Sequence, residues 1–568
     1  MHDLVIRRGS VVDGTGAATR TADVAMKDGR IAEVGDRLGP ARQEVDADGA
    51  LVLPGWVDIH THYDGQATWD PLLTPSSWHG VTTTVFGNCG VGFAPIRPGT
   101  EDYLINLMEG VEDIPGTVLA EGLDFSWESY PQYLDALAAA PKAMDVAAQV
   151  PHGALRFYVM GERGADHGIV PSEDEIAAME RLMQEALSAG AMGFSTSRTT
   201  KHRAADGRFT PSLSAQEPEL AGIARAMKRA GAGTIQCNSD FGDGEFEILR
   251  AMAELSGRPL SVLLLQVDNA PELWRRTLAQ IEATNRDGLY VTGQVGTRPI
   301  GILMGLDTSI NPFTSHPAWR GLKDLAPAER VARLQADGAL RRRLVEERPD
   351  DGHTRWMGKA LERSFALGEP LDYEPAAEES VAARAAREGR DRWALALELM
   401  LERDGTALLM HSFENYNACS LDALREMLLS ENTVSGLGDG GAHVATICDA
   451  SAPTTLLTIW ARDRKRGERL PLEFLVRKQT RDAARVFGLL DRGVLAPGYR
   501  ADINVVDFDA LAVGQPRVVH DLPAGGRRLA QRASGYRHTF VAGVEVTRDG
   551  EHTGALPGGL VRGARPAP

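Results

Sequence analysis

Cysteine is scarce in this chain, with four residues in 568. So few cysteines in so long a chain do not form a disulfide framework, and we expect a reducing, cytoplasmic location. No run approaches the 18 apolar residues of a membrane-spanning helix, and the first residues lack the apolar stretch of a secretory signal. Lys and Arg number 61 against 78 Asp and Glu, which argues against nucleic acid or an anionic membrane as a partner.

The two ends of the chain share one pattern, short apolar runs separated by Asp-Gly or Gly turns. Residues 24–26 and 31–34 flank Asp28-Gly29, and residues 539–546 contain Ala542-Gly543. Strand, tight turn and strand predict β-hairpins. We therefore expect one composite β-sandwich built from residues 1–53 and 485–568.

The middle of the chain, residues 54–484, alternates apolar β-type runs with amphipathic helical patterns. Predicted strands include 83–86, 193–196, 260–265 and 289–291, and predicted helices include 176–189, 218–229 and 274–283. This alternation is typical of parallel βα units, so the predicted fold class is α/β, a TIM-like (β/α)8 barrel. A charged, Ala-rich stretch at about 315–405 predicts a helical insertion.

A pair of histidines ends the first strand of this middle region, in Leu53 to His62 (LPGWVDIHTH). A strand places alternate side chains on one face, so His60 and His62 project together while Thr61 points away. Two imidazoles at the end of a barrel strand form half of a site for a divalent metal. The alternative is a pair of structural histidines; Asp58 and the preceding Pro54-Gly55 favour the metal.

Two further elements carry metal-type side chains at strand ends. Cys89, within Gly87-Asn88-Cys89-Gly90, follows an apolar strand, and a thiol beside a cation binds as thiolate. Asp439, before Gly440-Gly441, offers a carboxylate that binds metal and exchanges a proton with water. A buried inert cysteine and a simple turn aspartate are the respective alternatives.

In this order the motifs resemble those of the amidohydrolase superfamily, specifically its N-acyl-D-amino-acid deacylase (D-aminoacylase) branch. The resemblance runs through most of the chain and rests on Pro54-Gly55-x-x-Asp58-x-His60-x-His62, Gly80-Val81-Thr82-Thr83 with Gly87-Asn88-Cys89-Gly90, Gly190-Ala191-x-Gly193-Phe194-Ser195-Thr196, Asp439-Gly440-Gly441 and Gly493-x-Leu495-x-Pro497-Gly498-x-x-Ala501-Asp502.

The resemblance implies a barrel with a composite β-sandwich, and water activated by one or two divalent ions, usually zinc. Cys89 matches the metal-binding cysteine of the branch, which replaces the carboxylated lysine of other branches. Asp439 matches the last-strand aspartate, both metal contact and general base. Oligomers are common in the family, so a homo-oligomer stays open.

The sequence departs from the branch at two positions. The branch has histidines at the ends of its fifth and sixth barrel strands, where Gln236 and Gln266 stand nearest here. Amide oxygen is a poor zinc ligand, so we expect one zinc ion rather than two. Three alternatives remain. The centre is mononuclear, built on His60, His62 and Asp439 with Cys89 near or bound; or another residue, His202, His411 or Asp240, completes a rearranged site. In the third alternative the protein has lost its catalytic activity.

Four side chains are candidates for binding the substrate. Arg298 is the preferred carboxylate anchor, because a guanidinium binds a carboxylate with two hydrogen bonds. Arg198 and His202 belong to a basic loop, 197–203, that is either a carboxylate site or a solvated loop. His152 is either a pocket histidine or a structural one.

The predicted function is hydrolysis of a C–N amide bond in a small molecule, most specifically an N-acyl (D-)amino acid, with Asp439 as base. Hydantoins or dihydropyrimidines are the alternative substrates, since the same chemistry serves cyclic amides. A non-catalytic relative that keeps the fold is the alternative of another class, and the retention of His60, His62, Cys89 and Asp439 argues against it.

Overall fold

The computed structural model describes residues 1–568. Its strands are β1 (His2–Val11), β2 (Arg20–Lys27), β3 (Arg30–Gly35), β4 (Ala41–Asp46), β5 (Leu51–Pro54), β6 (Trp56–Asp58), β7 (Val81–Phe86), β8 (Asp145–Ala148), β9 (Val150–Pro151), β10 (Gly193–Arg198), β11 (Thr234–Ser239), β12 (Leu260–Leu263), β13 (Val291–Val295), β14 (Ile300–Met304), β15 (Ser364–Ala366), β16 (Leu409–Glu414), β17 (Thr433–Ser435), β18 (Ile503–Val506), β19 (Ala512–Val513), β20 (Arg517–Leu522), β21 (Gly526–Ala530), β22 (Ala533–Ser534), β23 (Tyr536–Val541), β24 (Val544–Arg548) and β25 (Glu551–His552).

Its helices are α1 (Gln66–Trp69), α2 (Glu101–Glu112), α3 (Gly116–Gly122), α4 (Tyr130–Ala139), α5 (His152–Met160), α6 (Glu173–Ala189), α7 (Glu217–Ala230), α8 (Glu245–Ser256), α9 (Leu273–Arg286), α10 (Pro317–Lys323), α11 (Pro327–Ala336), α12 (Gly338–Glu346), α13 (Gly352–Ala360), α14 (Val381–Arg387), α15 (Arg392–Gly405), α16 (Asp422–Leu429), α17 (Ala452–Leu457), α18 (Leu472–Arg477) and α19 (Ala483–Val486). Short 3-10 or π-helical segments cover Ser76–His79, Gly161–Ala165, Leu361–Arg363, Ala377–Glu379, Asp449–Ser451, Thr458–Asp463, Lys478–Asp482 and Pro523–Gly525.

Parallel strands form the centre of the molecule. One run pairs β6, β7 and β8, and a second pairs β9, β10, β11, β12, β13 and β17. Only Gln149 separates β8 from β9, and a parallel bridge between His60 and Leu437 joins the region after β6 to that after β17. The pairings thus pass through eight strand positions and return to the first. The predicted α/β class is confirmed.

Local sequence explains where the outer helices begin and end. In α6 the Ser172 hydroxyl accepts the Glu175 amide N–H, and the Glu175 side chain accepts the Ser172 amide N–H, a capping box. Gly190 ends the helix in the left-handed region, at φ 108°. Met179, Met183, Ala186 and Leu187 form its buried face. The helix predicted at 176–189 is confirmed.

Both chain ends contribute to one nine-stranded sheet, in the order β25-β24-β23-β18-β5-β1-β2-β3 with β4 beside β1. β5 pairs antiparallel with β18 and continues through Gly55 into β6, so this sheet adjoins the first strand of the parallel ring. The predicted hairpins are β2–β3 and β23–β24. The domain boundaries themselves stay a prediction.

The helices α10 to α15 lie between Pro317 and Gly405, where the sequence predicted an insertion. They enclose a separate core of 19 buried residues and adjoin a small antiparallel sheet of order β14-β16-β15. None of the helices is both long and apolar enough to span a membrane.

Candidate metal centre

His60 and His62 follow β6 and face the same space, as strand alternation predicted, with their ring centroids 5.4 Å apart. Asp58 brings two chain segments together, because its Oδ1 accepts hydrogen bonds from the amide N–H groups of both His60 and Gly438. A Cβ on Gly438 would stand 2.2 Å from Asp58 Oδ2, so only glycine allows this close contact. The contact joins the histidine strand to the loop that carries Asp439.

Cys89 and Asp439 complete the cluster from two other strand ends. The Cys89 Sγ lies 3.4 Å from His60 Nε2, and Asp439 Oδ1 lies 3.4 Å from His60 Nε2 and 3.7 Å from His62 Nε2. Both residues adopt the left-handed region, with φ of 55° and 45°. Such backbone strain in non-glycine residues concentrates at functional sites.

Each histidine has a different side chain beside its second nitrogen. Gln294 of β13 offers Oε1 at 2.6 Å to His60 Nδ1, and its amide donates to Ser261 Oγ. Glu112, the last residue of α2, places Oε1 3.3 Å from His62 Nδ1. The Gln294 contact orients His60 in the way that second partners orient metal-binding imidazoles, whereas neither His62 Nδ1 nor Glu112 Oε1 has a hydrogen-bond partner.

Glu112 and Gln294 were not among the residues that the sequence predicted. Glu112 also places Oε2 3.6 Å from His443 Nε2, and its backbone carbonyl accepts the His443 amide N–H. Neither residue belongs to a recognisable metal motif, because both act through side chains that only the fold brings near. The one feature of the sequence that could have pointed to Gln294 is its polar side chain on β13, a strand whose residues are all buried.

Burial opposes charge throughout the cluster. It raises the pKa of Asp439 to about 6 and raises the pKa of Glu112 and of Cys89 well above their ordinary values. It lowers the pKa of His60 to about 4 and that of His62 well below the ordinary value. A cation would reverse these effects for the anionic donors and suits neutral imidazoles.

The donor set fits a divalent metal. Ligand atoms of His60, His62 and Cys89 lie within 4.8 Å of one another, and all three residues are buried. Imidazole nitrogen, thiolate sulfur and carboxylate oxygen are the usual donors to zinc. His60, His62, Cys89 and Asp439 are therefore the residues that would hold the ion.

The strand ends expected to carry further histidines carry amides and leucines. Gln236 accepts the Cys89 amide N–H, while Asn238, two residues on, lies nearer the thiol, with Nδ2 3.9 Å from Sγ. Gln266 accepts the Asn417 amide N–H and donates to Pro271 O. Asn238, in register with Ser197 of β10, thus joins Gln236 as a second amide side chain beside Cys89.

The other residues considered as completing the site have partners of their own. Asp240 accepts hydrogen bonds from the Thr199 hydroxyl and from the Thr200 amide and hydroxyl. His411, in β16, stacks edge-on against Trp356 with ring centroids 5.5 Å apart. Neither belongs to the group of metal-type side chains around His60.

Of the predicted substrate-binding residues, His202 lies next to the metal centre through Asn238, and Arg298 lies in the loop between β13 and β14. Arg298 is buried, pairs with Asp449 at 3.0 Å and hydrogen-bonds Ser451, while its Nε has no partner. His202 lies between Ser197 Oγ, 2.9 Å from Nδ1, and Asn238 Nδ2, 3.3 Å from Nε2. These contacts tie His202 to the ring, while Thr200, Lys201 and Arg203 of the same loop are exposed.

Arg198 and His152 are committed to structural contacts. Arg198 forms two hydrogen bonds to Glu245, of 2.7 and 3.0 Å, and a third to Ala215 O. His152 is fully buried, with Nδ1 at Thr196 Oγ1 and Nε2 at Glu219 Oε1, and Glu219 also pairs with Arg156. Neither side chain has a free polar atom that faces the metal centre, so the geometry gives no support to a substrate contact from them.

The chain is similar to known proteins in sequence and in fold. A model of the amidohydrolase family matches residues 43–547. N-acyl-D-glutamate deacylase of Alcaligenes xylosoxydans xylosoxydans is 30% identical over 552 residues, which covers 96% of this chain and 93% of that protein.

Two solved structures are also similar. D-aminoacylase, described with a binuclear metal centre, matches with a TM-score of 0.66 and 26% identity over 100% of both chains. N-acyl-D-glutamate deacylase from Bordetella bronchiseptica, complexed with zinc and a phosphonate inhibitor, matches with a TM-score of 0.64 and 26% identity over 99% of both.

Parallel strands that gather two imidazoles, a thiol and a carboxylate at their ends define a metal-dependent hydrolase. The chain belongs to the amidohydrolase family. The predicted relationship to its D-aminoacylase branch is confirmed, and with it the class of enzyme: a metal-dependent amidohydrolase that acts on carbon–nitrogen bonds other than peptide bonds.

Proposed function

We propose that this protein hydrolyses the amide bond of N-acyl-D-amino acids with one bound zinc ion. The observation that carries the proposal is the convergence of His60 Nε2, His62 Nε2, Cys89 Sγ and Asp439 Oδ1 on one buried space. The similarity to deacylases over nearly the whole chain supports the substrate class. Gln236 and Gln266, which stand nearest the positions where further imidazoles were expected, support one ion rather than two.

A divalent ion in this centre would lower the pKa of water and polarise the scissile carbonyl. Asp439 acts as the base: its carboxylate accepts the proton of the attacking water and then delivers it to the leaving amine nitrogen. Gln294 holds His60 so that its Nε2 stays directed at the reaction centre, and Glu112 stands beside His62.

Arg298 receives the substrate carboxylate. Its guanidinium is buried, stacks over Tyr373 at 4.4 Å and keeps an unpartnered Nε. Asp449 neutralises it in the absence of substrate, so an incoming carboxylate replaces one anionic partner by another. His202, next to Asn238 and Cys89, is the second polar group available to the substrate.

Metal analysis joined to a substrate panel tests the proposal. We expect one equivalent of zinc per chain, loss of activity on chelation, and hydrolysis of N-acetyl-D-amino acids in preference to their L-enantiomers and to hydantoins. Purified protein that holds no metal and releases no amino acid from any member of the panel contradicts it.

All four cysteines are buried free thiols, which supports a cytoplasmic location.

A further inference from the structure

A cavity of about 200 Å³ opens at the ends of β11 and β12, beside the metal centre. These are the strands whose ends were expected to carry two more histidines. Asn238 connects the two places, because it lines the cavity and its Nδ2 lies 3.9 Å from Cys89 Sγ. No side chain of the cavity is imidazole, thiol or another strong zinc ligand except the single carboxylate of Asp240.

Most of the lining is apolar. Leu263 of β12, Leu265 and Val267 just after it, and Phe241 after β11 face the cavity together with two residues of α9, Leu273 and Trp274. A cavity of about 150 Å³ lined by such side chains is large enough to hold benzene. The space therefore accommodates a branched aliphatic or a phenyl group.

The charged residues of the lining already have partners. Lys201 pairs with Glu414, and Asp240 accepts hydrogen bonds from the Thr200 amide and hydroxyl at 2.8 and 2.7 Å. A second carboxylate in this cavity would lose its hydration without gaining an unpaired cation. The cavity thus favours neutral over acidic groups.

We infer that this cavity binds an apolar part of the substrate. It lies at the strand ends where the resemblance to the branch implied two further metal-binding histidines. The inference rests on the proposed deacylase function and narrows its substrate class: the enzyme takes N-acyl-D-amino acids with an apolar side chain or an apolar acyl chain, and discriminates against N-acyl-D-glutamate and N-acyl-D-aspartate. Burial of each additional methylene strengthens binding several-fold.

Two series of substrates, given to the zinc-loaded full chain, test this and identify which part of the substrate enters. The first compares N-acetyl-D-leucine and N-acetyl-D-phenylalanine with N-acetyl-D-glutamate, and the second compares N-hexanoyl-D-alanine with N-acetyl-D-alanine. We expect kcat/KM to rise about tenfold or more in one series. Preference for N-acetyl-D-glutamate, with no effect of acyl length, overturns the inference while leaving the deacylase function intact.

A variant that narrows the cavity gives an independent readout. Val267→Phe should abolish the advantage of the larger substrate, whereas Val544→Phe, at an exposed valine of β24, is the matched control. Calorimetry of hexanoate binding and of D-leucine binding tests the inference even if no substrate is turned over. Either hexanoate or D-leucine should bind the original protein and the control more tightly than it binds Val267→Phe. Equal binding to all three proteins, or no binding, overturns the inference. Absence of turnover alone overturns the deacylase function instead.

Discussion

Glu112 Oε1 lies 3.3 Å from His62 Nδ1, and the other oxygen of the same carboxylate lies 3.6 Å from His443 Nε2. The corresponding partner of His60 is a neutral amide, that of Gln294. The two metal-type histidines therefore have different neighbours, one a carboxyl group and the other an amide. A carboxylate on the far nitrogen raises the basicity of an imidazole and fixes its orientation, which strengthens metal binding.

Replacing Glu112 by Gln keeps the shape of the side chain and removes its charge. We expect zinc affinity to fall about 10–100-fold, as measured by competition with a chelator. Asp102→Asn, at an exposed residue of the same helix, is the control and should leave affinity unchanged. Equal affinity in Glu112→Gln and the original protein would show that the contact is merely structural.

Replacing Asp439 by Asn removes the proposed base. We expect kcat to fall by roughly 10²–10⁴-fold, because the attacking water and the leaving amine lose their proton carrier. Asp509→Asn, at an exposed position, serves as the control. Initial rates should be compared at equal zinc content, so that loss of the ion and loss of the base are separated; an unchanged rate rejects the assignment.

Replacing Arg298 by Lys tests recognition of the substrate carboxylate. Lysine offers a point charge instead of a fork, so we expect kcat/KM for N-acyl-D-amino acids to fall about tenfold or more. An N-acyl amine without a carboxylate should be hydrolysed equally by both proteins. A similar loss for both substrates would mean that Arg298 supports the fold; Arg355→Lys, at an exposed arginine, is the matched control.

Replacing His152 by Ala separates a structural from a substrate-binding role. Its ring bridges Thr196 and Glu219 in the interior, so removal leaves buried polar groups unpaired. We expect a loss of about 1–3 kcal/mol in the free energy of unfolding, measured with urea, and an unchanged KM. The exposed His520 supplies the control, His520→Ala. A raised KM at unchanged stability would restore His152 to the substrate site.

Much of the fold could be predicted because its signals are local. Alternating apolar residues, Asp-Gly turns and helix caps act within a few residues, which explains why β2–β3, β7, β10 and α6 lie where expected. The predicted strand 289–291 instead begins at Val291 as β13, since Asn285 uses its side chain to bond the Val291 backbone and ends the preceding turn there. The exact ends of a strand or helix depend on such contacts more than its presence in the fold does.

By itself the sequence determined the α/β class, the family and the four metal-type side chains, because His60, His62, Cys89 and Asp439 each end an apolar strand in a recognisable motif. The tertiary structure decided what surrounds them. Glu112 comes from a helix end, Gln294 from a strand more than two hundred residues after His60, and Asn238 reaches Cys89 only through the register of β10 and β11. Those contacts depend on how distant segments pack, and local patterns carry no record of that.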